Sequence, residues 1–148
     1  MTDLAAFERL VRLDHGLSVV ATVRPDGTVQ ATVVNAGVVA HPVSHERVVA
    51  FVAGGRRKLT YLRSNPTVTV VVRAGWEWTT VEGSAQLIGP DDPDPSVRSE
   101  QLRLLLRQIF VAAGGTHEDW DVYDRVMAEE GRTAVLVAPA RVYSNAGG

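Results

Sequence analysis

The 148-residue chain has no cysteine and a single lysine. Lacking cysteine, it has no disulfide, no thiolate nucleophile and no cysteine-bearing metal site. That composition suits a cytoplasmic setting, which is the expectation here. A surplus of positive charge is also missing: 15 basic residues face 17 acidic ones, the net charge is −2 and the pI is about 6.1. The chain as a whole therefore has no attraction for nucleic acid or an anionic membrane, and neither is expected as a partner. No apolar run approaches the roughly 18 residues that a membrane span requires. The opening residues, MTDLAAFERLVRLD, carry charges throughout where a signal peptide would be apolar. Of the histidines (His15, His41, His45 and His117), only His41 and His45 are four apart, in a loop opened by His41-Pro42 and not on a helix face, and no serine sits in a nucleophile elbow. Dinucleotide and P-loop glycine motifs are both absent. The chemistry of hydrolases, NTPases and zinc enzymes is thus without its usual residues.

What the chain does have is valine, 25 residues of it, gathered in short runs. Branched side chains suit strands better than helices, and the length fits one domain, residues 1–148. Thr2 or Asp3 can cap a first helix with Leu4, Phe7, Leu10, Val11 and Leu13 on its apolar face, ended by Gly16. LSVVATVR and TVQATVVNAGVVA form a hairpin about Pro25-Asp26-Gly27. In the returning strand Asn35-Ala36-Gly37 is an interruption, which suggests a bulge or a close ligand approach. A third strand covers 46–53 and a fourth 67–72. WEWTTVEGSAQLIG gives a long fifth strand with Trp76, Trp78 and Thr80 on one face, and Gly83 suggests a bulge within it. Beyond an acidic, proline-rich connector, Ser96 is expected to cap a helix carrying Leu102, Leu105, Leu106 and Ile109. Thr116 is expected to cap a second helix running to Glu130. A last strand spans 133–142. Six mostly antiparallel strands with flanking helices make an α+β barrel.

The candidate site is the stretch FVAGGRRKLTYLRSNPTVTVVV, residues 51–72. A strand runs into Gly54-Gly55, and Arg56, Arg57 and Lys58 then open a short helix that Asn65-Pro66 stops. Cations in a first turn oppose the helix dipole at a cost of about 0.3–1 kcal/mol each. A glycine pair, a helix start and a cationic cluster together offer an anion a place to bind, the alternative being a solvated basic turn. The lone lysine at this spot suggests that a compact, flexible point charge is wanted there. Trp76 and Trp78 read as core or interface residues, with ring stacking on a ligand as the other possibility. An anion site with no catalytic side chain beside it fits a mechanism in which a bound cofactor carries the chemistry.

ATVRPDGTVQATVV, GGRRKLTYLRSNPTVTVVV, WEWTTVEGSAQL and HEDWDVYDRVMAEEGRTAVLVAPARVY together resemble the FMN-binding split β-barrel proteins related to pyridoxamine 5'-phosphate oxidase. The last two stretches are most similar to the actinobacterial branch that uses the deazaflavin coenzyme F420, and that branch matches a composition rich in Ala, Val and Gly. The resemblance implies a homodimer with two cofactor sites at the subunit interface. Arg56, Arg57 and Lys58 would hold the phosphate and tail. Thr32, Val33, Val34 and Asn35 would pass along the ring, and Trp76 and Trp78 would come from the facing subunit. The activity implied is that of an F420H2-dependent oxidoreductase, passing a hydride to an electron-poor double bond of a small organic substrate. The alternatives are an F420-binding storage protein without turnover, and an FMN-dependent oxidase-like enzyme. Where the family often has Arg-Asp-Pro-Arg, this chain has Ser64-Asn65-Pro66-Thr67, and the oxidase branch's substrate-binding arginine and tryptophan near the C-terminus are not evident.

Overall fold

The computed structural model describes residues 3–54 and 56–145, excluding the Arg56 side chain. The expectations placed on Thr2 and on Gly55 lie outside the described residues. Six strands, β1 (Leu17–Val23), β2 (Val29–Ala40), β3 (Arg47–Ala53), β4 (Thr67–Ala74), β5 (Glu77–Ile88) and β6 (Thr133–Ser144), close a barrel in the order β1-β2-β3-β6-β5-β4. Every neighbouring pair is antiparallel. Four helices flank it: α1 (Ala5–Val11), α2 (Arg56–Ser64), α3 (Ser99–Ala112) and α4 (Trp120–Glu129). The α+β six-stranded barrel expected from the sequence is the fold. Among the described residues no helix is long and apolar enough to cross a membrane.

Alternation sorts the strands into an inner and an outer face. Val20, Val70 and Val81 lie side by side in register and are fully buried inside the barrel. Phe7 and Leu10 of α1 and Leu62 of α2 join them in one apolar cluster. Removing such a side chain from water contributes roughly 1.5–3 kcal/mol. A second cluster lies outside the barrel, where Leu105, Leu106 and Ile109 of α3 and Tyr123 of α4 cover Ala50 of β3 and Leu136 of β6. This outer layer is what builds a cavity on that side.

The hairpin turn forms at 24–28 as expected, with the Arg24 amide donating to Thr28 (2.8 Å) and Asp26 accepting from the Thr28 amide (3.0 Å). The ladder between β5 and β6 slips at Glu82/Gly83, so the bulge is present. A Cβ on Gly83 would lie 2.1 Å from the Ala138 carbonyl oxygen. Of the two causes expected for the small residues of β2, the bulge is absent. Both β2 ladders run without a shift, and the strand changes neighbour there: Asn35 pairs with Leu17 and Ala36 with Phe51. Gly37 is small because the end of α3 rests on it, 2.6 Å from a Cβ position to the Ala112 carbonyl carbon.

Four boundaries also differ. Ser96 belongs to a tight turn, its amide donating to Asp94 (2.8 Å), and α3 starts later behind Arg98 and Gln101. The cap of α4 is Asp119 and not Thr116: its carboxylate accepts from the Asp121 and Val122 amides (3.1 and 3.2 Å), which satisfies free donors of the first turn. Trp76 sits in the turn before β5, so the expected facial alternation starts only at Glu77. Leu13 falls after α1 and is exposed.

Candidate functional site

Helix α2 is anchored by its apolar side. Leu59 and Leu62 are buried, while the first turn carries no acidic residue to balance its cations. Asn65 ends the helix, donating its amide to the Tyr61 carbonyl (2.8 Å) and accepting the Thr67 amide on its side-chain oxygen (3.1 Å). Within this frame Lys58 is half-buried, its Nζ 5.7 Å from the centre of the Phe51 ring. Among the described residues it has no carboxylate partner. Burial holds its ammonium below the ordinary lysine pKa. A desolvated cation without a counter-charge is costly, and a bound anion would relieve that cost.

Lys58 opens onto a cavity of about 640 Å³. One wall is strand backbone, Val33 to Asn35 of β2 and Val52 to Gly54 at the end of β3. Opposite stand Phe110 and Gly114-Gly115 at the end of α3, Tyr123 and Met127 of α4, and Arg132. Four residues expected from the sequence thus meet here: Val33, Val34, Asn35 and Lys58. The side-chain amide of Asn35 is already engaged, donating to the His15 carbonyl (2.8 Å). It pins a left-handed turn in which His15 and Gly16 have φ of 55° and 64°.

The other expected residues lie elsewhere. Thr32 pairs with Val20 on the inward row of β2, and its buried hydroxyl has no partner among the described residues. Arg57 is exposed and does not line the cavity. The Arg56 side chain lies outside the described residues. Trp76 is 94% exposed at the tip of its turn. Trp78 stands on the outer face of the barrel, edge-on to Tyr143 at 6.2 Å. There it borders a second hollow of about 620 Å³ with Leu17, Val19, Val33 and Val71. Val33, 65% exposed, edges both this face and the cavity.

His15, Phe110, Tyr123, Met127 and Arg132 were not expected at the site, because α3 and α4 reach it only through tertiary folding. The glycine pair after α3 and Gly131-Arg132 after α4 were the available signals. An aromatic stack places α4: Tyr123 lies 5.1 Å from Phe110, 5.3 Å from Trp120 and 5.6 Å from His117. Asp124 clamps the same helix to α3, accepting from Arg107 Nε (2.9 Å) and Arg103 Nη1 (2.8 Å). The Tyr123 hydroxyl donates to the Leu106 carbonyl (3.1 Å), and burial pushes its pKa up to about 12. It therefore stays protonated near neutral pH.

Among the described residues no cluster could hold a metal ion. The cavity combines a strand wall, an aromatic wall and one uncompensated cation. Such a lining fits a planar ring that carries a phosphate: the ring has apolar walls on two sides, and the phosphate has Lys58.

A family model described as pyridoxamine 5'-phosphate oxidase matches residues 5–146. Several solved structures share the fold. One is a conserved hypothetical protein from Mycobacterium tuberculosis (TM-score 0.67, 17% identity, 97% of this chain and 84% of that one). Another is an F420 reductase (TM-score 0.60, 19% identity, 92% and 94%). A third is a pyridoxamine 5'-phosphate oxidase-related, FMN-binding protein from Nostoc punctiforme (TM-score 0.63, 14% identity, 94% and 78%).

Proposed function

The chain belongs to the pyridoxamine 5'-phosphate oxidase family, and within it we propose that it is an F420H2-dependent oxidoreductase acting on a small, electron-poor organic substrate. The observation that carries this reading is Lys58, half-buried in the cavity and without a carboxylate among the described residues. A reduced deazaflavin, when bound, supplies a hydride for an electron-poor double bond.

This chain's residues would do the rest. Lys58 neutralises the phosphate, and Arg57, exposed beside it, meets the anionic tail. Val33 and Val34 bound the ring's place on one side. Phe110 and Tyr123 close the opposite wall and keep water out of it. Holding two reactants in contact supplies much of the rate in such a site. Tyr123 keeps its proton and its bond to Leu106, so the balancing proton comes from water. A polyanionic tail uses the neighbouring exposed cation better than the single phosphate of FMN does, and this favours the deazaflavin.

The reading includes a twofold dimer. Leu17, Val19, Val33 and Tyr143 are large apolar side chains left exposed on one continuous outer face formed by β2, β1, β4, β5 and β6. A contiguous patch of this kind usually marks an interface. Pairing through it would bury over roughly 2,000 Å² in total. Because Val33 edges both that face and the cavity, a partner's Trp76 and Trp78 would come close to the ring. Titration of the purified protein with F420 and with FMN tests the cofactor. Saturable F420 binding tighter than FMN binding is expected; binding of FMN alone, or of neither, would overturn the reading.

A further inference from the structure

The cavity contains a second cation that the basic cluster of α2 does not include. Arg132 follows α4 and lines the same cavity as Lys58. Its guanidinium lies flat against the backbone of Gly54: a Cβ built there would be 2.8 Å from Cζ, Nε and Nη1 alike. Only glycine lets the group settle so near the strand end. Glu130 accepts from Nε at 2.7 Å, which is the one ion pair that Arg132 makes among the described residues. The two Nη groups have no hydrogen-bond partner among the described residues. Lys58, Gly54 and Arg132 thus come from three separate stretches of chain and line one cavity, which holds two positive charges, with the Glu130 carboxylate paired to Arg132.

On the reading of a phosphate-bearing cofactor, we propose that Arg132 is a phosphate-binding residue of this site, that Gly54 makes room for its guanidinium and that Glu130 orients it. Lys58 supplies a point charge, whereas a guanidinium supplies paired, coplanar N–H donors matched to two oxygens of one phosphate. With Nε held by Glu130, the Nη edge is the part left to meet the anion. The two cations divide the task, one providing charge and the other direction. The arginine sits about 75 residues from the α2 cluster, so only the packing of α4 against α3 brings it into place. Gly54 then has a role separate from that of the helix start: it sets the height of the guanidinium above the end of β3.

The test compares ligands with and without the phosphate on the full-length protein: F420 against its phosphate-free deazaflavin nucleoside, and FMN against riboflavin. Arg132→Ala should weaken the phosphate-bearing member of whichever pair binds by about tenfold to a hundredfold, and the phosphate-free member by less than about twofold. Arg132→Lys should recover only part of the loss. Gly54→Ala should reproduce the same selective loss with Arg132 still present, since the new methyl group displaces a flexible side-chain end. Equal loss of both members of a pair, or no loss of either, would overturn the inference. If the wild type binds none of the four compounds, the cofactor reading falls, and inorganic pyrophosphate decides the role of Arg132. It should raise the melting temperature of the wild type and not that of Arg132→Ala; an equal rise in both, or none in either, would overturn the inference.

Discussion

Lys58 is the residue on which the site turns, and its lack of a partner makes its contribution measurable. Lys58→Ala should weaken F420 binding by about 1.5–3 kcal/mol, the usual range for a charge-assisted hydrogen bond. The melting temperature should hardly change, because the cation makes no ion pair with any described residue. Titration by ring fluorescence checks this, and unaltered affinity would mean that the ammonium faces no anion. Lys58 was legible in the sequence as the only lysine, three residues past the Gly54-Gly55 pair. Asn35 was legible as a residue of this wall, but its engagement with the His15 carbonyl was not, since that contact joins positions 20 apart. Tyr123 and Phe110 had no local signature at all. A ring on the inner stripe of a helix reads as core, and here the same rings are core on one side and cavity wall on the other.

At the scale of elements, the proposed anion site would set function against stability in the first turn of α2. Reversing Arg56 and Arg57 to glutamate should abolish cofactor binding and leave thermal stability equal or slightly higher, because a helix N-terminus favours negative charge. A marked fall in melting temperature would instead make these arginines structural. The contact between β2 and α3 is tighter. Gly37→Ala should cost about 1–3 kcal/mol in urea unfolding, the usual penalty of overpacking, because α3 backbone stands where the methyl group would go. The clamp between α3 and α4 carries a pH signature. Hydrogen bonding to Arg107, then to Arg103, holds the Asp124 carboxylate below its usual range. Its stabilisation is complete above the unfolded value of about 3.9 and is lost as the pH falls through the lowered folded value. Asp124→Asn should therefore flatten the acid limb of the stability profile; an unchanged limb would show that the clamp is idle. Strands, hairpin and bulge were readable because alternation and turn chemistry are local. The starts of α3 and α4 were not, because Ser96 is taken up in a turn with Asp94 and Asp119 stands as a second cap-forming residue three positions after Thr116.

For the whole molecule, the closed barrel was legible from six valine-rich strands, whereas the place of the tryptophans was not. Trp76 lies outside β5, so the pair does not share a strand face, and only Trp78 packs on Tyr143. Trp78→Ala should lower dimer stability and cofactor affinity together if one face serves both, with sedimentation at low protein concentration as the check on assembly. A stable monomer that still binds the deazaflavin would remove the shared site. The proposed function stands or falls with the chemistry that the cavity beside Lys58 accepts, and its most direct test is an equilibrium titration of the apo protein with F420 and FMN in parallel. It predicts one F420 per chain, held more tightly than FMN and weakened by Lys58→Ala. FMN bound more tightly than F420, or F420 binding indifferent to the loss of Lys58, would contradict it.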